Sequence, residues 1–334
     1  MSRTAVVILN YNGQELLQKF LPSVIRYTED ARVIVADNHS TDASVNFVRS
    51  AFPTVEIIEI PENYGFAGGY NFALRQVEAD YYVLLNSDVE VTEGWLSPLI
   101  ALLDGDPQVG AVQPKILAYN NKAMFEYAGA AGGFIDWLGY PFCRGRLFAD
   151  LEEDHHQYDD TIPVFWATGA CMAVRSTLYH TLHGLDEDFF AHMEEIDFCW
   201  RLHRAGKKVM ACGQSKVYHV GGATLSQSNP RKTYYNFRNS LQMLFKNLAI
   251  TQLCLRLPIR ILLDWVAAAK FLLSGQLRDA FAVIRAHFYI LFRFPGLLSK
   301  RDQVVKTSNP AIYGGSIVFD YYIKGRKKFT DLKF

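Results

Sequence analysis

The stretch YYVLLNSDVEV, residues 81–91, holds five consecutive apolar residues followed at once by Asn86, Ser87 and Asp88. An apolar run of this length is typical of a strand covered on both faces, as in a parallel sheet flanked by helices. Ligands bind at the carboxyl ends of the strands in such a sheet. A carboxylate at that edge suits a hard divalent cation, which in turn neutralises a diphosphate. Because the same residues also favour turns for local reasons, the stretch alone leaves both interpretations open.

Further apolar runs and helical periodicities alternate along the first part of the chain. They predict strands at 4–9, 32–36, 55–60, 81–85 and 110–116, and helices at 14–26, 45–50, 72–77 and 95–103. The Gly-rich segment 63–71 is expected to open the third of these helices. Such alternation, with polar residues at the strand ends, indicates an α/β fold built on a doubly wound sheet.

The pattern loosens between residues 118 and 163, where we expect a long, partly mobile segment. The remaining elements are predicted as a strand-like stretch at 164–174, strands at 208–211 and 217–220, and helices at 194–205 and 234–248.

The formal net charge of zero conceals an acidic part and a basic part. Residues 251–334 carry 14 Lys and Arg against 5 Asp and no Glu, whereas the first 250 residues carry 20 basic and 29 acidic side chains. Residues 251–294 are helical and apolar in pattern, but basic residues interrupt them, and no uncharged stretch approaches the roughly 20 residues that cross a bilayer. Such helices favour an anionic membrane surface, which we expect as a partner. An ordinary helical pair packed on the main domain is the alternative.

The cysteines and the N-terminal residues bear on the compartment. The five cysteines have no paired spacing, which favours a reducing compartment, and the first apolar run is too short for a signal peptide. We therefore expect a cytoplasmic protein that attaches peripherally to the inner face of the cytoplasmic membrane and has no nucleic-acid partner. The spacing of Cys199, His203, Cys212 and His219 matches no common zinc pattern.

Polar residues follow four of the predicted strands, at 10–13, 37–42, 63–69 and 86–88. A doubly wound sheet places such ends along one edge. An acid after the second strand suits hydrogen bonds to a nucleoside, and the glycines of 65–69 allow backbone amides to approach a phosphate or a base. With a metal-binding carboxylate at Asp88, the four ends together predict a nucleotide site.

Six motifs in sequence order carry a resemblance to a known family. They are VVILNYNG (6–13), ADNHSTDAS (36–44), NYGFAGGYN (63–71), LLNSDVEV (84–91), ATGACMAVR (167–175) and GLDEDFFAHMEEIDFCWRLHRAGKKV (184–209). In this order they resemble family 2 inverting glycosyltransferases of the GT-A fold, and within them the bacterial rhamnosyltransferase-like branch of surface polysaccharide synthesis. The resemblance covers about residues 4–245.

The resemblance implies a donor site for a dTDP-, UDP- or GDP-sugar and a Mg²⁺ or Mn²⁺ cofactor. Asp37 matches the acid that contacts the nucleotide base, and Asp88 matches the metal ligand, with Asn86 standing where an acid is often found. His219 resembles the late histidine that reaches the metal or the diphosphate. The expected donor-binding residues are Leu9, Asn10, Tyr11, Asn12, Asp37, Asn63, Gly68, Asn86, Ser87 and Arg238.

The resemblance also places the catalytic base in the acidic segment 194–197. Inverting transfer needs a base that takes a proton from the acceptor hydroxyl. Glu195 occupies the family's position for that base, and Glu194 remains the alternative. The expected acceptor contacts, on a lipid-linked glycan, are Asp197, Trp200 and Arg201.

A late basic element and a domain division complete the expectations. Arg231, Lys232, Arg238 and Asn239 are expected to stabilise the diphosphate leaving group or an acceptor pyrophosphate, unless they form a solvated helix face. Residues 1–249 are predicted to form the GT-A domain, with a nucleotide-sugar half up to about 115, and residues 250–334 a basic helical membrane-association region.

Two other classes of function stay open alongside glycosyl transfer. A sugar-phosphate nucleotidyltransferase would need a Gly-rich first loop with Arg and Lys, which residues 10–13 lack. A non-catalytic nucleotide-sugar binding protein would tolerate loss of the acids at 88 and 194–197. A dinucleotide-dependent dehydrogenase is disfavoured because no Gly-x-Gly-x-x-Gly follows the first strand.

Overall fold

The structure is a computed structural model that describes residues 3–28, 30–221, 229–301 and 311–334. The strands in chain order are β1 (Thr4–Asn10), β2 (Arg32–Asp37), β3 (Glu56–Glu59), β4 (Tyr81–Asn86), β5 (Val89–Val91), β6 (Val109–Ala118), β7 (Asn121–Phe125), β8 (Gly133–Asp136), β9 (Pro141–Cys143), β10 (Arg146–Leu147), β11 (Asp150–Leu151), β12 (Thr161–Val164), β13 (Cys171–Arg175), β14 (Lys208–His219) and β15 (Ile312–Tyr313). The α-helices are α1 (Gln14–Arg26), α2 (Ser44–Ala51), α3 (Gly65–Leu74), α4 (Leu96–Gly105), α5 (Ser176–Thr181), α6 (Glu194–Arg204), α7 (Pro230–Asn247), α8 (Ile250–Leu273), α9 (Leu277–Ser299) and α10 (Ile317–Tyr322).

A mixed sheet in the order β12-β14-β6-β13-β4-β1-β2-β3 forms the centre of the molecule. Strands β1 to β4 pair in parallel, with Leu9 opposite Asn86, Asn10 opposite Asp37, and Asp37 opposite Glu59. The carboxyl ends of these strands therefore lie at one edge, as the four polar strand ends predict.

Apolar helix faces cover both sides of this sheet. In α1, Leu17, Leu21 and Val24 recur at helical spacing and pack on one face with α2 and α4. Helices α3, α5, α6 and α7 contribute to the cluster on the other face. Burial on both faces explains why β1 and β4 are almost wholly apolar.

The segment 118–163, expected to be long and partly mobile, has regular secondary structure. It forms β7 to β12, and four of these strands join β15 in a second sheet of order β11-β10-β9-β8-β15. These strands have two to four residues each, too few to show a periodicity. The sheet is completed by a strand from the far end of the chain, where Ile312 pairs with Ile135, and no local pattern reveals that pairing.

Several predicted boundaries also differ from the structure. Helix α3 begins at Gly65, so the Gly-rich segment is helix rather than a loop before it. The two predicted strands at 208–211 and 217–220 are one strand, β14, whose pairing with β6 is irregular between Cys212 and Lys216. Within 164–174, Val164 ends β12 and the next strand, β13, begins only at Cys171. Helix α7 begins at Pro230, four residues earlier than expected.

The region 250–334 is not one helical unit. Helices α8 and α9 form a hairpin after Ile250, but residues 311–334 return to the second sheet. There the amide of Ile317 donates to Asp136 Oδ2 at 3.0 Å, and the Phe329 and Phe334 rings lie 5.0 and 5.2 Å from the Phe134 ring. The C-terminal residues are therefore part of the folded body.

Among the described residues, one helix, α9, is long and apolar enough to cross a bilayer by length and composition alone. The sequence does not predict a segment of this kind, because Arg278, Arg285 and Arg293 interrupt its apolar residues.

Candidate active site

The first polar recess lies at the ends of β1 and β2, where Asp37 is buried. Its carboxylate accepts hydrogen bonds from Asn10 Nδ2 at 3.0 Å and from the Ser40 amide at 2.9 Å. Asn10 is fully buried, and its Oδ1 atom has no hydrogen-bond partner in the described part of the chain. An unpaired buried oxygen of this kind is a group that a ligand can satisfy.

The loops that follow β1 and β2 are held against each other. The side-chain oxygen of Asn12, a residue with φ of 49°, accepts a hydrogen bond from the Thr41 amide at 2.7 Å. Tyr11 is 46% exposed beside them, and Leu9 is half-buried at the end of β1. The predicted residues Leu9 to Asn12 thus border the recess, and their contact with a nucleotide stays a prediction.

Helix α3 begins against both the recess and the segment before α6. Gly65 has φ of +70°, and a Cβ there would lie 2.7 Å from the Phe190 carbonyl oxygen, so only glycine fits this close approach. Asn63 accepts hydrogen bonds from Asn38 Nδ2 at 3.1 Å and from the Gly65 amide at 2.9 Å. Gly68 is buried inside the helix against Tyr64, and its contact with the donor stays a prediction.

The third group is centred on Asp88 and His219. Asp88 lies between β4 and β5, and β5 pairs with β14 so that His219 is opposite Val89. His219 Nε2 lies 3.1 Å from Asp88 Oδ1 and 3.5 Å from Asn86 Nδ2, while its Nδ1 lies 3.3 Å from a Glu126 oxygen. Burial would raise the pKa of Asp88, but the hydrogen bond and charge of His219 lower it. Burial would likewise lower the pKa of His219, yet Asp88 and Glu126 together raise it to about 10.

Glu126 is a site residue that the sequence did not point to. It is 5% exposed and lies just after β7, in the segment without a readable pattern. No motif or spacing marks it, and only the fold reveals its place beside His219. Within residues 3–28, 30–221, 229–301 and 311–334, no set of three or more His, Cys, Asp or Glu side chains has the arrangement of a complete metal site.

Two glutamates at the start of α6 form the fourth group. Glu194 is 4% exposed, Glu195 is half-buried, and the Oε2 atom of each has no hydrogen-bond partner in the described ranges. Burial, and then the neighbouring Glu195, hold the pKa of Glu194 well above its usual range. Burial raises the pKa of Glu195 to about 7.

Glu195 lies beside the end of β4. A Cβ on Gly169 would be 3.9 Å from the Glu195 Cβ, and the next residue, Ala170, accepts the Asn86 amide at 3.0 Å. The turn at 168–170 therefore separates Glu195 from the strand end that carries Asn86 and Asp88. Ser87 Oγ lies at the same edge, 3.6 Å from a Cβ placed on Gly13.

The three predicted acceptor contacts lie elsewhere. Asp197 is fully buried and bonds to Arg201 Nε at 2.9 Å, Lys246 Nζ at 2.8 Å and Asn247 Nδ2 at 2.8 Å. Arg201 also donates to the carbonyls of Leu182 and Gly184. Trp200 is 8% exposed, and its ring lies edge-on to the Phe165 ring. Asp197, Trp200 and Arg201 therefore hold α6 in place, and the acceptor contact expected of them stays a prediction.

The basic residues Arg231, Lys232 and Arg238 have different surroundings in the structure. Arg238 is 7% exposed and donates through Nη2 to the carbonyls of Asp188 and Phe189 at 2.9 and 2.8 Å, so it braces the backbone before α6. Its expected contact with a diphosphate stays a prediction. The Arg231 guanidinium lies over the Phe190 ring. Lys232 is half-buried, and burial lowers its pKa.

Comparisons with known proteins agree with this architecture. Residues 5–162 match the family model described as Glycosyl transferase family 2. The chain is 26% identical over 233 residues to an N-acetylglucosaminyl-diphospho-decaprenol L-rhamnosyltransferase of Mycobacterium tuberculosis, covering 64% of this chain and 75% of that protein. It is 22% identical over 240 residues to the low-salt glycan biosynthesis hexosyltransferase Agl10 of Haloferax volcanii, covering 70% and 73%.

Two solved structures have a similar fold. The structure of GalNAc-T7 with UDP, GalNAc and Mn²⁺ gives a TM-score of 0.57 at 16% identity, over 73% of this chain and 48% of that chain. The mannosyltransferase PcManGT of Pyrobaculum calidifontis, in complex with GDP-Man and Mn²⁺, gives 0.53 at 16% identity, over 89% and 83%. These two structures confirm the predicted GT-A fold. The family match over residues 5–162 and the named sequence relatives show that the chain is a glycosyltransferase with a family 2 domain in its N-terminal part.

Proposed function

We propose that this glycosyltransferase moves a sugar, with inversion, from a nucleoside-diphosphate donor to a hydroxyl of a lipid-linked glycan. The observation that carries the proposal is the position of Glu195. Its half-buried carboxylate has an oxygen without a hydrogen-bond partner among the described residues, and it lies across the 168–170 turn from the strand end that bears Asp88. A base beside a donor-binding edge is what an inverting transfer requires.

The two glutamates differ in a way that favours Glu195 as the base. Glu194 is the more deeply buried, and burial together with the charge of Glu195 raises its pKa well above the usual range, which disfavours its ionised form. A pKa near 7 instead lets Glu195 be ionised in part of the molecules and still take up a proton readily. Glu194 then acts as a neutral neighbour able to donate a hydrogen bond to a sugar oxygen.

In the reaction, Glu195 removes the proton from the acceptor hydroxyl while the hydroxyl oxygen attacks the anomeric carbon. The bond between that carbon and the diphosphate oxygen breaks, and its electron pair leaves with the nucleoside diphosphate. Attack from the face opposite the leaving group inverts the anomeric configuration. The acceptor proton ends on Glu195.

The donor lies, in this proposal, along the edge formed by β1, β2 and β4. Asp37 and the unpaired Oδ1 of Asn10 receive the nucleoside, and the diphosphate extends toward Asp88. The Asp88 carboxylate and the His219 imidazole are oxygen and nitrogen donors of the kind that Mn²⁺ and Mg²⁺ accept, and they lie 3.1 Å apart as an ion pair. Binding of a cation between them would require His219 to release its proton. A divalent cation held there with diphosphate oxygens and water would neutralise charge on the leaving group.

The acceptor class rests on the relatives and on the helical hairpin. One relative is named for a diphospho-decaprenol acceptor and another for glycan biosynthesis. The α8–α9 hairpin exposes many large apolar side chains, and soluble monomeric proteins rarely expose so many of them together. They include Leu255, Leu262, Val266, Leu273, Phe281, Phe288, Leu291 and Phe292. We infer that this surface rests on the cytoplasmic membrane, where a lipid-linked acceptor is found.

The basic residues of the hairpin contribute less to membrane contact than their number suggests. Arg260 pairs with Asp264 at 3.1 Å inside the protein, and Lys300 pairs with Asp186 at 2.8 Å. Arg293 lies 3.6 Å from an oxygen of Asp188. Burial of apolar side chains in the membrane therefore contributes more to this contact than attraction to anionic lipid does.

A donor and acceptor screen tests the proposal. The full chain is incubated with dTDP-, UDP- and GDP-sugars, with Mn²⁺ or Mg²⁺, and with a polyprenyl-diphosphate-linked N-acetylglucosamine in vesicles. We expect one donor to be consumed only when the acceptor is present, with inversion at the anomeric carbon. Formation of a nucleotide sugar from a sugar phosphate and a triphosphate would instead show a nucleotidyltransferase, and binding without turnover would show a nucleotide-sugar binding protein.

A further inference from the structure

The segment before α6 has a strained backbone. Phe190, His192 and Met193 have φ angles of 63°, 70° and 74°, in the left-handed region that side chains with a Cβ rarely adopt. Three such residues within four positions persist only where the surrounding structure holds them. Because Met193 immediately precedes the helix, these angles set the direction in which Glu194 and Glu195 leave the backbone.

One side chain of α7 holds most of this segment. Asn239 is fully buried, and its Nδ2 lies 3.0 Å from the Phe189 carbonyl oxygen, 2.8 Å from that of Ala191 and 2.7 Å from that of His192. Its Oδ1 accepts from Arg238 Nε at 2.7 Å, which fixes the orientation of the amide. The three carbonyls thus share the two amide hydrogens of a single residue.

The remaining carbonyls of the segment are held from two sides. Arg238 Nη2 donates to Asp188 and Phe189, and the Phe66 amide at the start of α3 donates to Phe190 at 2.8 Å. Every carbonyl from residue 188 to residue 192 therefore accepts a hydrogen bond from α7 or from α3. Helix α3 borders the donor recess, so the segment is fixed between the donor side and α7.

We propose that Asn239 is a positioning residue for the general base. Through its three hydrogen bonds it keeps residues 189–193 in the strained form, and this form directs Glu195 at the acceptor hydroxyl. The inference rests on the proposed function, because it takes Glu195 as the base. Asn239 itself touches neither substrate.

The test compares three substitutions at this position in the full-length protein. Asn239→Ala removes the amide, Asn239→Asp keeps its shape but replaces the donor with an oxygen, and Asn239→Ser keeps one donor. We expect kcat to fall by about 10- to 100-fold for Ala and Asp and by less for Ser, because small displacements of a catalytic group have effects of that size. The donor KM should change by less than about threefold, since the recess at Asp37 is unaltered.

Gln242→Ala is the matched control. Gln242 is also a fully buried amide on α7, but neither of its polar atoms has a hydrogen-bond partner among the residues that the structure describes. It should leave kcat within about threefold of the wild-type value even if it lowers the midpoint of thermal unfolding. If kcat fell equally for Gln242→Ala and Asn239→Ala, Asn239 would contribute only to the stability of the fold, and the inference would be overturned.

Glu195→Gln, measured in parallel, separates the inference from the proposed function. Full activity of Glu195→Gln would mean that the base is another residue, whatever Asn239 does. An inactive Glu195→Gln together with wild-type kcat for folded Asn239→Asp would overturn the positioning role alone. Should Asn239→Ala fail to fold, as judged by circular dichroism, the Ser and Asp variants still decide the question.

Discussion

Replacing Glu195 with Gln should stabilise the protein at alkaline pH while it removes the proposed base. In the folded protein, burial raises the pKa of Glu195 from an ordinary value of 4.5 to about 7. Between these two pH values the folded state binds more protons than the unfolded state, so the wild-type protein loses stability as the pH rises. Above about pH 7 the loss is complete, because the carboxylate is then ionised in both states.

The size of the effect follows from the same pKa. At about 1.4 kcal/mol per pH unit, the difference between the pKa of Glu195 in the folded state and in the unfolded state corresponds to a loss of about 3 kcal/mol in the free energy of unfolding. Glu195 is partly exposed and next to Glu194, so solvent screening reduces the expected gain to about 2 kcal/mol. A neutral Gln avoids this cost at every pH. The variant should therefore unfold at higher denaturant concentration than the wild type at pH 8.5 and at a similar concentration at pH 4.5.

Urea denaturation at these two pH values, followed by tryptophan fluorescence, measures the difference. Glu62→Gln, at an exposed position, is the control and should track the wild-type protein at both pH values. If Glu195→Gln were as stable as the wild type or less stable at pH 8.5, burial would not raise the pKa of Glu195, and the reasoning that makes it the base would fail.

Three further predictions concern the donor edge and the hairpin. Asp88→Asn should weaken Mn²⁺-dependent binding of the nucleoside diphosphate at least about tenfold in titration calorimetry. Losses of this size are typical even of residues that support a metal only indirectly. Unchanged affinity would contradict the metal site. Gly65→Ala should lower the free energy of unfolding, measured in urea, by about 2 kcal/mol, because Ala disfavours a positive φ and its Cβ would contact Phe190. An unchanged urea midpoint would show that the backbone around Gly65 and Phe190 shifts to accommodate the methyl group. Leu262→Glu should reduce flotation with neutral phosphatidylcholine vesicles several-fold and Thr251→Glu should not; equal flotation of both would place the membrane contact elsewhere.

The parallel half of the sheet follows directly from the sequence. Strands buried on both faces are apolar throughout, and helices such as α1 repeat apolar residues at helical spacing, so both periodicities are visible in the chain. The polar residues that end these strands must share an edge because the strands are parallel. For this reason Asn10, Asp37 and Asp88 could be grouped without coordinates.

The second sheet and several site assignments could not be predicted in this way. A two-residue strand carries no period, and the pairing of β15 with β8 joins residues far apart in the chain. Glu126 has no motif around it. The acids of α6 share one motif, and only the packing of α7 shows that Asp197 is paired with Lys246 while Glu195 keeps an unpaired oxygen.

The charge of the C-terminal region shows most clearly what composition cannot predict without the positions of the side chains. Counting residues shows an excess of Lys and Arg and predicts attraction to anionic lipid. The structure shows that Arg260 and Lys300 have carboxylate partners within the protein. A charge count cannot distinguish a cation that faces solvent from one that neutralises a buried acid.

Glu195 is proposed as the base at an edge that binds a nucleoside-diphosphate sugar. Turnover by Glu195→Gln tests this assignment most directly, with donor affinity determined by titration calorimetry on the same preparation. We predict that kcat falls by at least about 1,000-fold while the dissociation constant of the donor stays within about threefold of the wild-type value. Turnover at the wild-type rate with normal donor binding would contradict the assignment and transfer the role of base to Glu194.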